Sequence, residues 1–225
     1  MPSTDLVSVV IPAFNAERFL AEAVQSVLRQ RAADVEIVVI DDGSTDQSLA
    51  VAESIAGVRC YRQDNRGIAA ARNAGVKLAR GNLLAFLDAD DLWTDRKLAV
   101  QIDALRRHSD VQIVAGRVEQ FHDAARPQAA TAEVPSVGDA YTAGAMLLRR
   151  SDFLRVGMFD EDLRLGEFID WQSRALALGL RELCVEEVVL RRRIHEYNTT
   201  RRNQGSRADY LSAVRAHLHR KRNVA

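Results

Sequence analysis

The sequence predicts an α/β fold built on a mostly parallel sheet with helices on both faces. Short apolar runs alternate with stretches of helical periodicity through the first half of the chain. These runs are almost continuously hydrophobic, as strands covered on both sides must be. Polar clusters recur directly after them, at the carboxyl ends where open parallel sheets bind ligands.

Leu6 to Ile11 is a β-branched run closed by Pro12, and from Asn15 onward Phe19, Leu20, Ala23, Val24, Val27 and Leu28 recur at helical spacing. Glu36 to Ile40 reads as a second strand. It ends in Asp41-Asp42-Gly43-Ser44-Thr45-Asp46, which supplies a turn glycine and several N-caps for a helix through Ala56. Val58 to Arg62 is a third strand, followed by an alanine-rich helix from Gly67 to Arg80 with Gly81 as its C-cap. The fourth strand ends in the acidic stretch Asp88-Ala89-Asp90-Asp91. Thr94 then caps a helix to about His108, and Val111 to Phe121 is another strand.

His122 to Gly138 is poor in large apolar residues, contains Pro127 and Pro135, and reads as a mobile linker. Gly144 to Arg150 comes next as a strand, and Ser151-Asp152 can cap a short helix before Gly157. From Gly166 a helix places Phe168, Trp171, Ala175 and Leu178 on one stripe and Glu167 and Asp170 as neighbours on another face. Those two carboxylates read either as catalytic groups or as solvated helix-start acids favoured by the dipole. Val188 to Ile194 is a last strand, and Ser206 to Arg222 a helix with Leu211, Val214 and Leu218 on one side.

With 47% hydrophobic residues in 225, the chain has material for one large core. Lys plus Arg and Asp plus Glu number 31 each, so overall charge gives no sign of a nucleic-acid partner. The basic residues concentrate beyond Arg191. Cys60 and Cys184 stand among apolar neighbours and are expected as buried free thiols in a reducing compartment. No basic, apolar leader and no membrane-length run is visible, which points to the cytoplasm.

The acidic stretch is the sharpest chemical signal. An apolar run that ends in three carboxylates is costly unless a cation joins them. On an extended backbone Asp88 and Asp90 would point the same way and Asp91 elsewhere. Two hard oxygen ligands with an otherwise open coordination sphere suit Mg²⁺ or Mn²⁺, which take further ligands from water and substrate phosphates. Asn15, Asp41 and Asp42, Asp64-Asn65-Arg66 and Asp88 to Asp91 come after four successive strands, so they should converge on one rim. Arginines such as Arg72 would help hold an anionic ligand there.

Four ordered segments resemble family 2 glycosyltransferases with the GT-A fold. They are Val7-Ser8-Val9-Val10-Ile11-Pro12-Ala13-Phe14-Asn15, Val39-Ile40-Asp41-Asp42-Gly43-Ser44-Thr45-Asp46, Asn65-Arg66-Gly67-Ile68-Ala69-Ala70-Ala71-Arg72-Asn73-Ala74-Gly75 and Phe86-Leu87-Asp88-Ala89-Asp90-Asp91. Gly157-Met158-Phe159-Asp160 resembles the family's acceptor-side turn. The resemblance implies a Rossmann-like, mostly parallel sheet with a smaller acceptor-side subregion. Residues 1–121 would form the nucleotide-sugar half, 122–200 the acceptor side and 201–225 a basic C-terminal helix.

It also implies transfer of a sugar from a nucleotide-sugar, commonly a UDP-sugar, to a carbohydrate or lipid-linked acceptor with inversion. By analogy Pro12, Ala13 and Asn15 would line the nucleotide pocket with Asn65, Asp41 or Asp42 would hold the base, and Arg72 would approach ribose or diphosphate. Asp90 would bind the metal, Mn²⁺ or Mg²⁺, and Asp88 would contact ribose or metal-bound water. His195 resembles an element near the diphosphate, as a phosphate contact or further metal ligand. The family usually carries Glu-Asp at the start of the acceptor-side helix, the Asp as base, and Phe168 stands at that Asp position. Glu167 and Asp170 are then the base candidates, with Glu167 favoured because its helical azimuth is nearer to residue 168. The alternatives are a nucleotidyltransferase and a non-catalytic nucleotide-sugar-binding subunit. The helix over 206–222 could rest on anionic lipid at the inner face of the membrane or pack on its own domain.

Overall fold

The computed structural model describes residues 5–122 and 142–195. The linker expected from 122 to 138, except for His122, and the basic helix expected over 206–222 lie outside those residues. Eight strands form one sheet in the order β3-β2-β1-β4-β7-β6-β8-β5. In chain order they are β1 (Leu6–Ala13), β2 (Asp34–Asp41), β3 (Val58–Arg62), β4 (Leu83–Phe86), β5 (Leu92–Trp93), β6 (Ile113–His122), β7 (Leu147–Arg149) and β8 (Glu182–Ile194). The helices are α1 (Leu20–Leu28), α2 (Ser48–Glu53), α3 (Ile68–Leu78), α4 (Lys97–Arg107), α5 (Arg150–Val156) and α6 (Glu167–Ala177).

β3, β2, β1 and β4 run parallel, as do β6 and β8, while β7 lies antiparallel between β4 and β6 and β5 is antiparallel to β8. The sheet therefore continues across the boundary expected at residue 121. Alternation along β1 sends Val7, Val9 and Ile11 to a core with α1 and α4, and Val10 to a second core with α3, α5 and α6. In that second core the ring of Trp171 stacks on Phe153 at 4.9 Å, and Phe159 meets Phe86 and Phe153 edge-on. This aromatic cluster links α6 to β4 through Phe153 and Phe159.

Several local expectations are corrected. The third helix ends at Leu78, and Gly81 is no cap: a Cβ there would lie 2.4 Å from the Leu6 carbonyl oxygen, so glycine is required by close backbone approach. Thr94 does not cap α4, because its hydroxyl donates to the Val188 carbonyl at 2.8 Å. The strand expected from Gly144 is a 3-10 turn over Ala143–Ala145 and then the shorter β7. Leu178 leaves the α6 stripe and is 56% exposed, since it lies just past the last helical turn. Cys60 is half-buried and Cys184 exposed, because the first half of β8 has only one covered face. Among the described residues no helix is long and apolar enough to cross a membrane.

Candidate functional site

β1, β2 and β4 end side by side, and the loops after them are stitched together. Pro12 and Ala13 are buried at the end of β1, in register with Ile40 and Asp41. Asn15 adopts a left-handed backbone (φ 50) and its side-chain carbonyl accepts the Thr45 N–H at 2.8 Å, while its own N–H donates to Ser44 Oγ at 3.0 Å. Phe14 beside it is 51% exposed, an aromatic face at the rim that periodicity alone does not mark.

The two aspartates after β2 divide their work. Asp42 accepts from Gln63 Nε2 at 2.7 Å and from the N–H groups of Arg66 and Gly67 at 3.0 and 2.8 Å, so it anchors the loop before α3. Gly43 lets that loop pass, since a Cβ would come 2.9 Å from Asn65 N; Asn65 itself is exposed. Asp41 is 1% exposed. It accepts the Ser44 N–H at 3.3 Å, and its Oδ2 faces Arg62 Nε at 3.6 Å without a hydrogen bond.

The acidic stretch is a turn and not a strand extension. β4 stops at Phe86, and the Asp91 N–H closes on the Asp88 carbonyl at 3.1 Å. The alternation argument for Asp88 and Asp90 therefore fails, and the two carboxylates meet different partners. Asp88 accepts from Arg72 at 2.5 Å, whereas Asp90 shares a hydrogen bond with His195 Nε2 at 2.9 Å. Asp91 is buried and accepts the Arg193 N–H at 2.9 Å. Burial pushes its carboxyl well above the ordinary range, and the neighbouring charges of Asp90 and Asp88 push the same way, against the Arg193 hydrogen bond and the charge of Arg192.

Arg72, 2% exposed, projects from α3 between Asp88 and Glu167 and pairs with both. Burial works against its charge, but the two carboxylates outweigh that and raise its pKa. Its Nε is buried without a hydrogen-bond partner. Glu167 thus joins Arg72 and Asp88, while Asp170 pairs one helical turn along with Arg174 at 2.8 Å. The buried Phe168 belongs to the second hydrophobic core and presents no polar group.

His195 lies just beyond β8, its ring 4.7 Å from that of Phe19. Two residues earlier, Arg193 is held between the rings of Phe19 and Phe121 at 4.8 Å each, and its Nε donates to the Asp90 carbonyl at 3.0 Å. Sequence reasoning names Arg193 only as part of the basic run before His195 and does not single it out. A signal is present, because residues two apart on a strand share a side and His195 is already a candidate.

Asp90 and His195 are the groups at this turn whose chemistry would suit a divalent cation. They offer an oxygen and an imidazole within 2.9 Å of each other. Among the described residues no group of three or more His, Cys, Asp or Glu is placed to hold a metal ion, so water and phosphate would have to supply the rest of the sphere, as Mg²⁺ and Mn²⁺ favour.

The profile of glycosyl transferase family 2 matches residues 8–184, which span every element of this rim up to the start of β8. The chain belongs to that family. An uncharacterized glycosyltransferase of Rickettsia typhi is 27% identical over 210 residues, 87% of this chain and 66% of that protein. The uncharacterized glycosyltransferase EpsJ of Bacillus subtilis is 42% identical over 90 residues, 38% of this chain and 26% of EpsJ. The chain thus spans from about a quarter to two thirds of the length of these relatives. The crystal structure of S. aureus TarS 1-349 in complex with UDP-GlcNAc superposes with a TM-score of 0.75 at 20% identity, covering 95% of this chain and 66% of that one. TarS 1-349 with UDP gives a TM-score of 0.72 at 19% identity, over 95% of this chain and 64% of that one. The architecture is GT-A.

Proposed function

We propose that this chain transfers a sugar from a UDP-sugar to a hydroxyl of a carbohydrate or lipid-linked acceptor, with inversion at the anomeric carbon and with Mn²⁺ or Mg²⁺. The observation that carries the reading is the meeting of the Asp88–Asp91 turn, His195 and the Arg72–Glu167 pair at one rim. The TarS crystals with UDP and UDP-GlcNAc support the nucleotide class.

Asp41, with one buried oxygen lacking a hydrogen-bond donor, suits the base better than Asp42, whose oxygens are already occupied. Pro12, Ala13 and Asn15 line the nucleotide side, with Asn65 at its margin. Asp90 and His195 would hold the metal, and Asp88 would contact ribose or a metal-bound water. When bound, the ion neutralises charge on the departing diphosphate. Arg72 orients Asp88 and Glu167. In a single displacement a carboxylate takes the acceptor's proton, the acceptor oxygen bonds to the anomeric carbon, and the bond to the diphosphate breaks on the opposite side. We assign the base to Glu167, because it faces Asp88 through Arg72 whereas Asp170 is engaged along its own helix.

Turnover of UDP-GlcNAc with Mn²⁺ tests the assignment, after calorimetry has measured UDP binding. Glu167→Gln should lower kcat by about 100-fold or more, the lower end of general-base contributions, and Asp170→Asn by much less. Full turnover in both variants would remove the base assignment. UDP binding with no turnover in the unaltered chain would favour a nucleotide-sugar-binding subunit.

A further inference from the structure

Asn73 sits next to Arg72 on α3 and makes a second bridge to the acceptor side. Its side-chain oxygen accepts the Phe159 N–H at 3.0 Å, and its amide nitrogen donates to the Phe159 carbonyl at 2.9 Å. This two-point grip on one backbone residue resembles the exchange between paired strands. The same nitrogen donates to Glu161 Oε1 at 3.0 Å, and the other oxygen of Glu161 pairs with Arg66 at 2.7 Å. Arg66 lies in the loop anchored by Asp42, so a continuous chain of hydrogen bonds runs from the end of β2 to the turn at 159–161.

The opposite side of that turn is held by α6. Arg174 donates to the carbonyls of Val156 and Met158 at 3.0 and 2.8 Å, and Trp171 Nε1 donates to the Gly157 carbonyl at 2.8 Å. The turn is therefore clamped between α3 and α6. Arg72 and Asn73 set α3 against α6 at adjacent points, one through Glu167 and one through Phe159. Only an amide satisfies both backbone groups of Phe159 from position 73. Aspartate would lose both donated bonds and face the Phe159 carbonyl and Glu161 with like-signed oxygens, while alanine would leave a buried N–H and C=O unpaired.

We propose that Asn73, with Glu161, is a positioning residue that sets Glu167 and the acceptor-side turn against the nucleotide half. This rests on the transferase reading. Misplacing reacting groups by about 1 Å costs about 100-fold in rate. Loss of the clamp should therefore appear in kcat, while nucleotide affinity, assigned to the residues that end β1, β2 and β4, is retained.

The test uses Asn73→Ala, Asn73→Asp and Glu161→Ala in the full chain, with UDP-GlcNAc and Mn²⁺ for turnover and UDP for calorimetry. The two Asn73 variants should lose about 10- to 100-fold in kcat and Glu161→Ala about 3- to 10-fold, with KM for UDP-GlcNAc and Kd for UDP changed by less than about twofold. Unchanged kcat in all three, or a parallel fall of kcat and UDP affinity, would overturn the proposal. If the Asn73 variants fail to fold, the surface-accessible Glu161→Ala decides. Hydrogen exchange across 157–166 separates this proposal from the functional reading. If the unaltered chain neither binds UDP nor turns over, that reading falls. Faster exchange in that segment alone would still support the clamp, and unaltered exchange would end it.

Discussion

Toward the N-terminal ends of the strands, Glu36 is surrounded by donors: the Ser8 hydroxyl, the N–H groups of Arg80 and Gly81, and Arg59 at 2.8 Å. Toward the C-terminal ends, three carboxylates crowd into the turn from Asp88 to Asp91 and burial drives one of them toward its proton. Both clusters are partly enclosed and both contain arginine. In the first, one charge is matched by one guanidinium and neutral donors, so the arrangement is complete by itself. In the second, Arg72, Arg193 and His195 meet the carboxylates, yet Asp41 Oδ2 and Arg72 Nε at the same rim lack hydrogen-bond partners. A satisfied cluster ties strands together, whereas an incomplete one is suited to a ligand that completes it.

Asp90→Ala should break the C-terminal cluster's chemistry with the largest effect, about 100-fold or more in metal-dependent turnover of UDP-GlcNAc, with thermal unfolding little altered. Unchanged Mn²⁺ dependence would contradict the comparison at its active end. Glu36→Ala should do the reverse. With its donors left unpaired, the chain should lose about 1–3 kcal/mol in denaturant unfolding while each folded molecule keeps its activity.

The pH dependence of Glu36 sharpens the contrast. Burial opposes its charge, yet the hydrogen bonds from Ser8, Arg80, Gly81 and Arg59 prevail and lower its pKa. Its stabilising contribution is therefore complete above the ordinary glutamate range and disappears as pH falls through the lowered native value. The stability gap between the unaltered chain and Glu36→Gln should narrow in that acidic window; a gap independent of pH would show that charge is immaterial there. Arg59→Met should have the smallest effect, about 1 kcal/mol in the same unfolding measurement, because three other donors to Glu36 remain.

Strand and helix order is legible because buried parallel strands and amphipathic helices have distinct periods. The runs at Leu6, Glu36, Val58 and Leu83 are all neighbouring strands in the sheet. Caps are less legible. Gly81 and Thr94 have the composition of helix ends, but each is governed by a contact distant in sequence, with Leu6 and Val188 respectively. The aspartates at 88 and 90 are visible as chemistry but not as geometry, since a strand's alternation ends where the strand does. Arg193 does not stand out, because a run of three arginines does not reveal which one lies between two aromatic rings.

The sequence by itself determined which residue types stand at each strand end, because local composition dictates where an apolar run must stop and which polar residues come after it. Only the tertiary structure decided their partners. Arg72 with Glu167 and Asn73 with Phe159 join positions far apart in the chain, and Asp90 with His195 farther still. Such pairs are fixed by the packing of α3, α6 and β8 around the sheet, and no local pattern encodes them.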